Sequence, residues 1–256
     1  MSLLGPNDPP VFEVVNAAGR SPFFLTADHA GRAVPEALGD LGVCHADMDR
    51  HIAWDIGIAA VTRGLADALD ATAILQSYSR LVIDCNRQPN VASAFPVVSE
   101  ATEIPGNAGL SEADKQARRE AIFDPYHSKI VELFAQRERR PTIYMAMHSF
   151  TPVYMQIARG MHVAVLYNRN PRASRLLAAL LRQEPGLVVG ENEPYQVSDE
   201  TDYGVPVHAE LGGLDYVEIE IRQDLILSET GQVEWVERLA RLLPLTAAEL
   251  SLAKAG

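Results

Sequence analysis

Short apolar runs that stop abruptly in polar residues recur through this chain, with helical periodicity between them. Phe23-Phe24-Leu25-Thr26 runs into Ala27-Asp28-His29-Ala30-Gly31, and Leu81-Val82-Ile83 runs into Asp84, Asn86 and Arg87. Pro141 to Met147 runs into His148 and Ser149, and Tyr216 to Arg222 alternates so that Glu218, Glu220 and Arg222 share one face. Runs this short and this apolar read as strands buried on both faces. Strands alternating with helices predict an α/β fold: a single domain over residues 1–256, with a mixed, mostly parallel central sheet and helices on both faces. Such sheets bind ligands outside the carboxyl ends of their strands. The four polar strand ends are therefore expected to converge on one edge.

The rest of the chain fills in that frame. Val11 to Asn16 reads as an edge strand, Ala73-Ile74-Leu75 and Met161 to Tyr167 as further strands, and Gly186 to Gly190 as a strand or turn. Asp47 and Asp49 mark a helix start that runs on through Ile56, Ala59, Leu65 and Leu69. Ser111 with Asp114 is a capping signal for a helix reaching Arg140, and Ala173 to Arg182 and Trp235 to Leu243 are helical as well. Residues 1–10 read as a loose arm, 90–109 and 191–206 as long loops, and 245–256 as a frayed tail.

Charge narrows the partners. The chain carries 34 acidic against 22 basic side chains, a net charge of -12, which repels nucleic acid and anionic membrane surfaces. Two cysteines, Cys44 and Cys85, make no disulfide framework and read as small buried hydrophobes. The amino terminus has no signal-peptide pattern and no apolar run is long enough to span a membrane, so a cytoplasmic protein, monomer or homodimer, is expected.

Several residues then stand out as chemistry. Arg87 offers a planar donor fork for a carboxylate, with the Asn86 amide beside it, although a capped strand end with a surface ion pair reads equally well. Two strand ends deliver His29 and His148, and two histidines with one acidic residue are a ligand set used by catalytic zinc. On a helix His51 and Asp55 would share a face, as metal ligands or as an exposed pair. An inward-facing carboxylate of the Tyr216 to Arg222 strand, Glu218 or Glu220, could act as a general base; the alternative is a solvated edge strand with a Glu220–Arg222 pair. No Gly-x-Ser-x-Gly elbow supports a serine hydrolase, since Thr151-Pro152 follows Ser149.

Taken in order, His29 to Pro35, the acidic segment ending at Asp55, Ser79 to Arg87, His148-Ser149-Phe150 and Glu220 to Asp224 resemble the N-formylglutamate amidohydrolase family. That family is similar in fold and site to zinc carboxypeptidases and to the succinylglutamate desuccinylase and aspartoacylase group. The resemblance implies one Zn2+ per chain (or another divalent ion) and hydrolysis of the amide of an N-acylated acidic amino acid. For the type members the substrate is N-formyl-L-glutamate and the products are formate and L-glutamate. It implies His29 and His148 as metal ligands, with Asp55 the carboxylate ligand because position 32 is arginine; Asp28, Asp49 and His51 are the other candidates. Asn86, Arg87 and Ser149 would bind substrate, Arg80 would stabilise the oxyanion, and Glu220 would be the base, with Glu218 as fallback. Two rival readings are a zinc amidase or peptidase for another N-acyl amino acid and a non-catalytic binder of small carboxylates.

Overall fold

The apolar runs assemble into one seven-stranded sheet. The structure, a computed structural model, describes residues 3–137 and 140–255, so Met1 and Ser2 of the expected arm, Glu138 and Arg139 of the expected helix, and Gly256 lie outside it. In chain order the strands are β1 (Phe12–Val15), β2 (Phe23–Ala27), β3 (Thr72–Gln76), β4 (Val98–Ser99), β5 (Thr102–Glu103) and β6 (Ile143–Phe150). They continue with β7 (Val153–Tyr154), β8 (Ile157–Ala158), β9 (Val163–Leu166), β10 (Val189–Glu191) and β11 (Asp215–Arg222). The helices are α1 (His45–Met48), α2 (Ile58–Leu69), α3 (Glu112–Arg118), α4 (Asp124–Arg137), α5 (Arg172–Leu181) and α6 (Glu229–Ala255).

The main sheet runs β1-β3-β2-β6-β11-β9-β10. Its four central strands, β3, β2, β6 and β11, are parallel to one another; β1 and the β9–β10 pair run the other way. Strand residues alternate between two cores, as the two-residue side-chain period requires. Leu25, Met145, Val165 and Val217 face α2, α5 and α6, whereas Phe24, Tyr144, Ala146 and Tyr216 face α4. The chain leaves β2 for β3 on one side and returns to β6 on the other. The carboxyl ends of β2 and β6 therefore flank a topological switch point, where open α/β sheets form their ligand crevice.

Three expectations are corrected. First, Tyr78 to Arg87 is not a strand: Tyr78 makes one isolated bridge to Ala33, and Leu81, Val82 and Ile83 are buried in irregular backbone. A ladder is unnecessary because side chains take its place. Asn107 Nδ2 donates to Leu81 O at 2.8 Å, and the buried Arg118 donates to Val82 O at 2.9 Å, Gly106 O at 2.9 Å and Asn107 Oδ1 at 2.6 Å. Arg118→Met should therefore cost about 3 kcal/mol in the urea-unfolding free energy, since buried acceptors lose a charged donor. A loss below about 1 kcal/mol would show that the carbonyls do not depend on it.

Second, no single helix runs from Asp47 to Leu69. Gly57 sits at φ 82°, where a Cβ would meet Ile226 O at 2.3 Å, and α2 begins only after it. Residues 49–57 are irregular, so His51 and Asp55 share no helix face. Third, the tail from residue 245 is not frayed. The stripe Trp235, Leu239, Leu242, Thr246, Leu250 continues through Pro244 at helical spacing and is buried, so α6 runs on to Ala255. Of the two cysteines, Cys85 is buried but Cys44 is exposed; both are free. The Ser111 capping box, the strand assignments of β1, β2, β3, β6, β9 and β10, and a Tyr216–Arg222 strand buried between β6 and β9 follow the sequence reading. Arg222 pairs with Asp224, not with Glu220. Among the described residues no helix is long and apolar enough to cross a membrane.

Candidate active site

Three neighbouring parallel strands bring the site together. His29 leaves the end of β2, His148 stands near the end of β6, and Glu220 lies on β11 directly in register with His148. Asp55 arrives from the irregular segment before α2. Its N–H donates to His29 O at 2.8 Å, and its Oδ2 accepts from the Ser149 N–H at 3.2 Å. Gly31 lets the loop after His29 approach β3, since a Cβ there would meet Ser77 backbone at 2.0 Å.

The Ser79 to Arg87 stretch stitches these loops to one another. Ser79 donates its N–H to Ala33 O at 2.9 Å and its hydroxyl to Ala53 O at 2.8 Å. Arg80 is ion-paired with Asp55 Oδ1. Asp84 Oδ1 is 2.7 Å from His29 Nε2. Asn86 Oδ1 accepts from the N–H groups of Tyr203 and Gly204 at 3.1 and 2.9 Å, and its Nδ2 faces Asp202 Oδ1 at 3.3 Å. Arg87 donates to Asn86 O and Thr201 O, 3.5 Å from Asp202. The expected carboxylate fork is thus already partly engaged by the chain's own loop. Ser149 likewise spends its hydroxyl proton on Ile56 O at 2.9 Å.

His29, Asp55 and His148 offer ligand atoms within 4.8 Å of one another, and all three are buried. Asp55 Oδ2 lies 3.0 Å from His148 Nδ1 and 3.6 Å from His29 Nδ1. Bonds of about 2.1 Å at tetrahedral angles put zinc ligands about 3.4 Å apart, so the spacing suits such an ion. Two further observations agree. Asp84 at Nε2 fixes the His29 tautomer and leaves Nδ1, which is buried without a hydrogen bond, with a free lone pair. His148 Nε2 is buried without a partner as well. Of the other ligand candidates, Asp49 pairs with Arg32 and His45, His51 faces Glu100 at 3.7 Å, and Asp28 accepts from Tyr126 OH at 2.6 Å. Arg32 also lies over the Trp54 ring, 5.3 Å from its centroid.

The electrostatics follow from burial. Burial works against charge on Asp55, yet Arg80, His148 and His29 together hold its carboxyl well below the usual carboxylate range. Burial likewise opposes charge on His148, but Asp55, Glu218 and Glu220 hold its pKa up at about 10. Without a cation the centre therefore keeps a proton on His148, which a divalent ion would displace. Burial raises Glu220 most; His148 opposes this and Asp55 adds to it, leaving the carboxyl at about 7. Glu218, pushed up chiefly by burial, lies at about 8. A carboxyl near 7 in a cleft is suited to accept and return a proton at neutral pH.

These groups open into a cavity of about 560 Å³. His29, Asp55, Arg80, Asn86, Arg87, His148, Ser149 and Glu220 all line it, as do the alternative candidates His51 and Glu218, whereas Asp28 and Asp49 do not. Sequence reasoning named Asp84 as part of a polar strand end but gave it no role, and it missed Glu100, Tyr154 and Tyr195, the last two on exposed stretches. Asp84 stood inside the Ser79–Arg87 motif, but only the fold shows that it meets His29, 55 residues away.

A mostly parallel α/β sheet that gathers a buried His-Asp-His group and raised carboxyls at its switch point has the side chains that a metal-assisted hydrolase would use. The family model for N-formylglutamate amidohydrolase matches residues 21–227, and the chain belongs to that family; it is an amidohydrolase. Among solved structures, it is similar to a gene product of Agrobacterium tumefaciens, at 35% identity and TM-score 0.93 over 97% of this chain and 99% of that one. It is also similar in fold to the N-formylglutamate amidohydrolase of Ralstonia eutropha JMP134, at 18% identity and TM-score 0.63 over 93% and 97%. No curated protein matches the chain.

Proposed function

We propose that the chain is a divalent-metal amidohydrolase that cleaves N-formyl-L-glutamate to formate and L-glutamate. The observation that carries this reading is Asp55 Oδ2 set between two histidine nitrogens, with the Glu220 carboxyl on the adjoining strand in register with His148. The family membership supports the reaction class. His29, Asp55 and His148 would hold the ion, with zinc fitting their donor types. A bound divalent ion would lower the pKa of water and polarise the acyl oxygen.

The remaining work falls to the chain's own side chains. Glu220 takes the proton from the attacking water and returns it to the leaving nitrogen, so no separate acid is needed. Arg80, fixed by Asp55, brings a permanent positive charge to the side of the developing oxyanion. Arg87 and Asn86 orient a substrate carboxylate, and the cavity holds the amide against the base. Two free thiols suit a reducing cytoplasm, where we place the protein.

The test is formate release from N-formyl-L-glutamate by the purified protein. Formate and glutamate should appear in equal amounts, stop after chelation, and resume when Zn2+ is added back. Metal-loaded protein that releases no formate would remove this reading.

A further inference from the structure

Both arginines that line the cavity have acidic partners, Arg80 with Asp55 and Arg87 with Asp202, and the lining Glu100 is paired with Arg50, which also meets Asp47. Arg159 is different. Among the described residues no carboxylate lies within ion-pair distance of it. Its guanidinium is held by rings instead, 4.9 Å from the centroids of Tyr154 and Tyr195 and 5.8 Å from that of Phe150. Its Nη1 donates to Tyr195 OH at 2.9 Å. All three rings line the cavity.

This arrangement is suited to receive an anion. Stacked rings orient a guanidinium without neutralising it, and its remaining N–H groups stay available. Tyr195 OH, having accepted from Arg159, keeps its own proton to donate. That hydroxyl is close to the reacting centre: burial raises its pKa first, and the Glu220 charge second, with Arg80 among the opposing charges. In a chain with 34 acidic side chains against 22 basic ones, an arginine left without an acid beside the cavity needs a partner from outside. A dicarboxylic substrate also needs two receptors, and the Asn86–Arg87 fork, partly taken by Asp202, serves one.

We propose that Arg159, together with Tyr195, receives the second carboxylate of an N-acyl dicarboxylic amino acid and thereby sets a preference for acidic over neutral side chains. The inference rests on the amidohydrolase reading above and assigns the specificity of that same site.

The experiment compares N-formyl-L-glutamate with its neutral isostere N-formyl-L-glutamine, using metal-loaded wild type, Arg159→Gln, Arg159→Lys and Tyr195→Phe. Wild type should favour the glutamate substrate. Arg159→Gln should raise its KM about 10- to 100-fold, the usual effect of losing a charged hydrogen bond, with kcat changed less than about threefold. The glutamine substrate should be turned over as before, and Arg159→Lys should recover part of the loss. Equal losses on both substrates would mean that Arg159 only braces the wall, and would overturn the proposal. If Arg159→Gln does not fold, Tyr195→Phe carries the test, because it keeps the ring: a KM rise confined to the glutamate substrate supports the proposal and a rise on both rejects it. Wild type that treats the two substrates alike, or prefers the neutral one, ends this inference while leaving the amidohydrolase reading intact. Wild type that hydrolyses neither ends both.

Discussion

Glu220→Gln should lower kcat/KM for N-formyl-L-glutamate by about three orders of magnitude, within the range expected for losing a general base. Its metal content should stay at the wild-type level, because His29, Asp55 and His148 are untouched. The effect is large because the other carboxyl on that strand face, Glu218, is not placed or charged to take over. Glu218 is two residues back on the same strand, two positions before the one in register with His148, and its pKa of about 8 keeps it protonated at neutral pH. A variant that keeps full metal and full turnover would move the base elsewhere.

The same substitution has a thermodynamic signature. The folded state holds the Glu220 proton up to about pH 7, whereas an exposed glutamate releases it near 4.5. The folded chain therefore binds more protons, and stability is lost as pH rises from about 4.5 through 7. For the metal-free protein the loss attributable to this carboxyl is about 3 kcal/mol. Urea unfolding of metal-free wild type and Glu220→Gln at pH 5 and pH 8 should show a markedly smaller fall in the variant.

His148→Ala should take the metal content from about one ion per chain to below about a tenth, with loss of turnover. The deletion removes one of three ligands and leaves Asp55 to Arg80 and to the Ser149 N–H. The fold should persist, since β6 keeps its ladders to β2 and β11. What should vanish is the metal-dependent rise in Tm: an ion at about a thousand times its Kd stabilises a native site by about 4 kcal/mol. Asp49→Asn should keep the metal, because Asp49 is turned to Arg32 and His45. Retained metal in His148→Ala together with lost metal in Asp49→Asn would place the ion in the neighbouring loop.

Much of the fold was legible because burial repeats with a short period. β2, β6 and β9 are apolar on both faces since helices cover both sides of the sheet, and that leaves an unambiguous run in the sequence. Leu81-Val82-Ile83 carries the same signature for a different reason. It is equally buried, but its carbonyls are met by Asn107 and Arg118, and no local pattern distinguishes those partners from a neighbouring strand. The helix expected across Asp47–Leu69 is interrupted over residues 49–57, with α2 starting only after Gly57 at positive φ, and the tail after Pro244 stayed helical because its buried stripe outweighs one missing N–H.

The sheet class, the polar strand ends at His29, His148 and Glu220, and the set of residues able to do chemistry can be read from the residues alone. These depend on side-chain type and on two- and four-residue periods, which are local. Which side chains meet depends on how the folded chain packs. Asp55 lies beside His29 and His148 because a glycine ends its helix prospects and Ser79 and Arg80 tie its loop down. Asp84 meets His29 across 55 residues, and Arg159 is left among three rings without an acid. Such pairings are set by packing and by electrostatics at a few ångströms, and neither quantity is encoded in spacing along the chain.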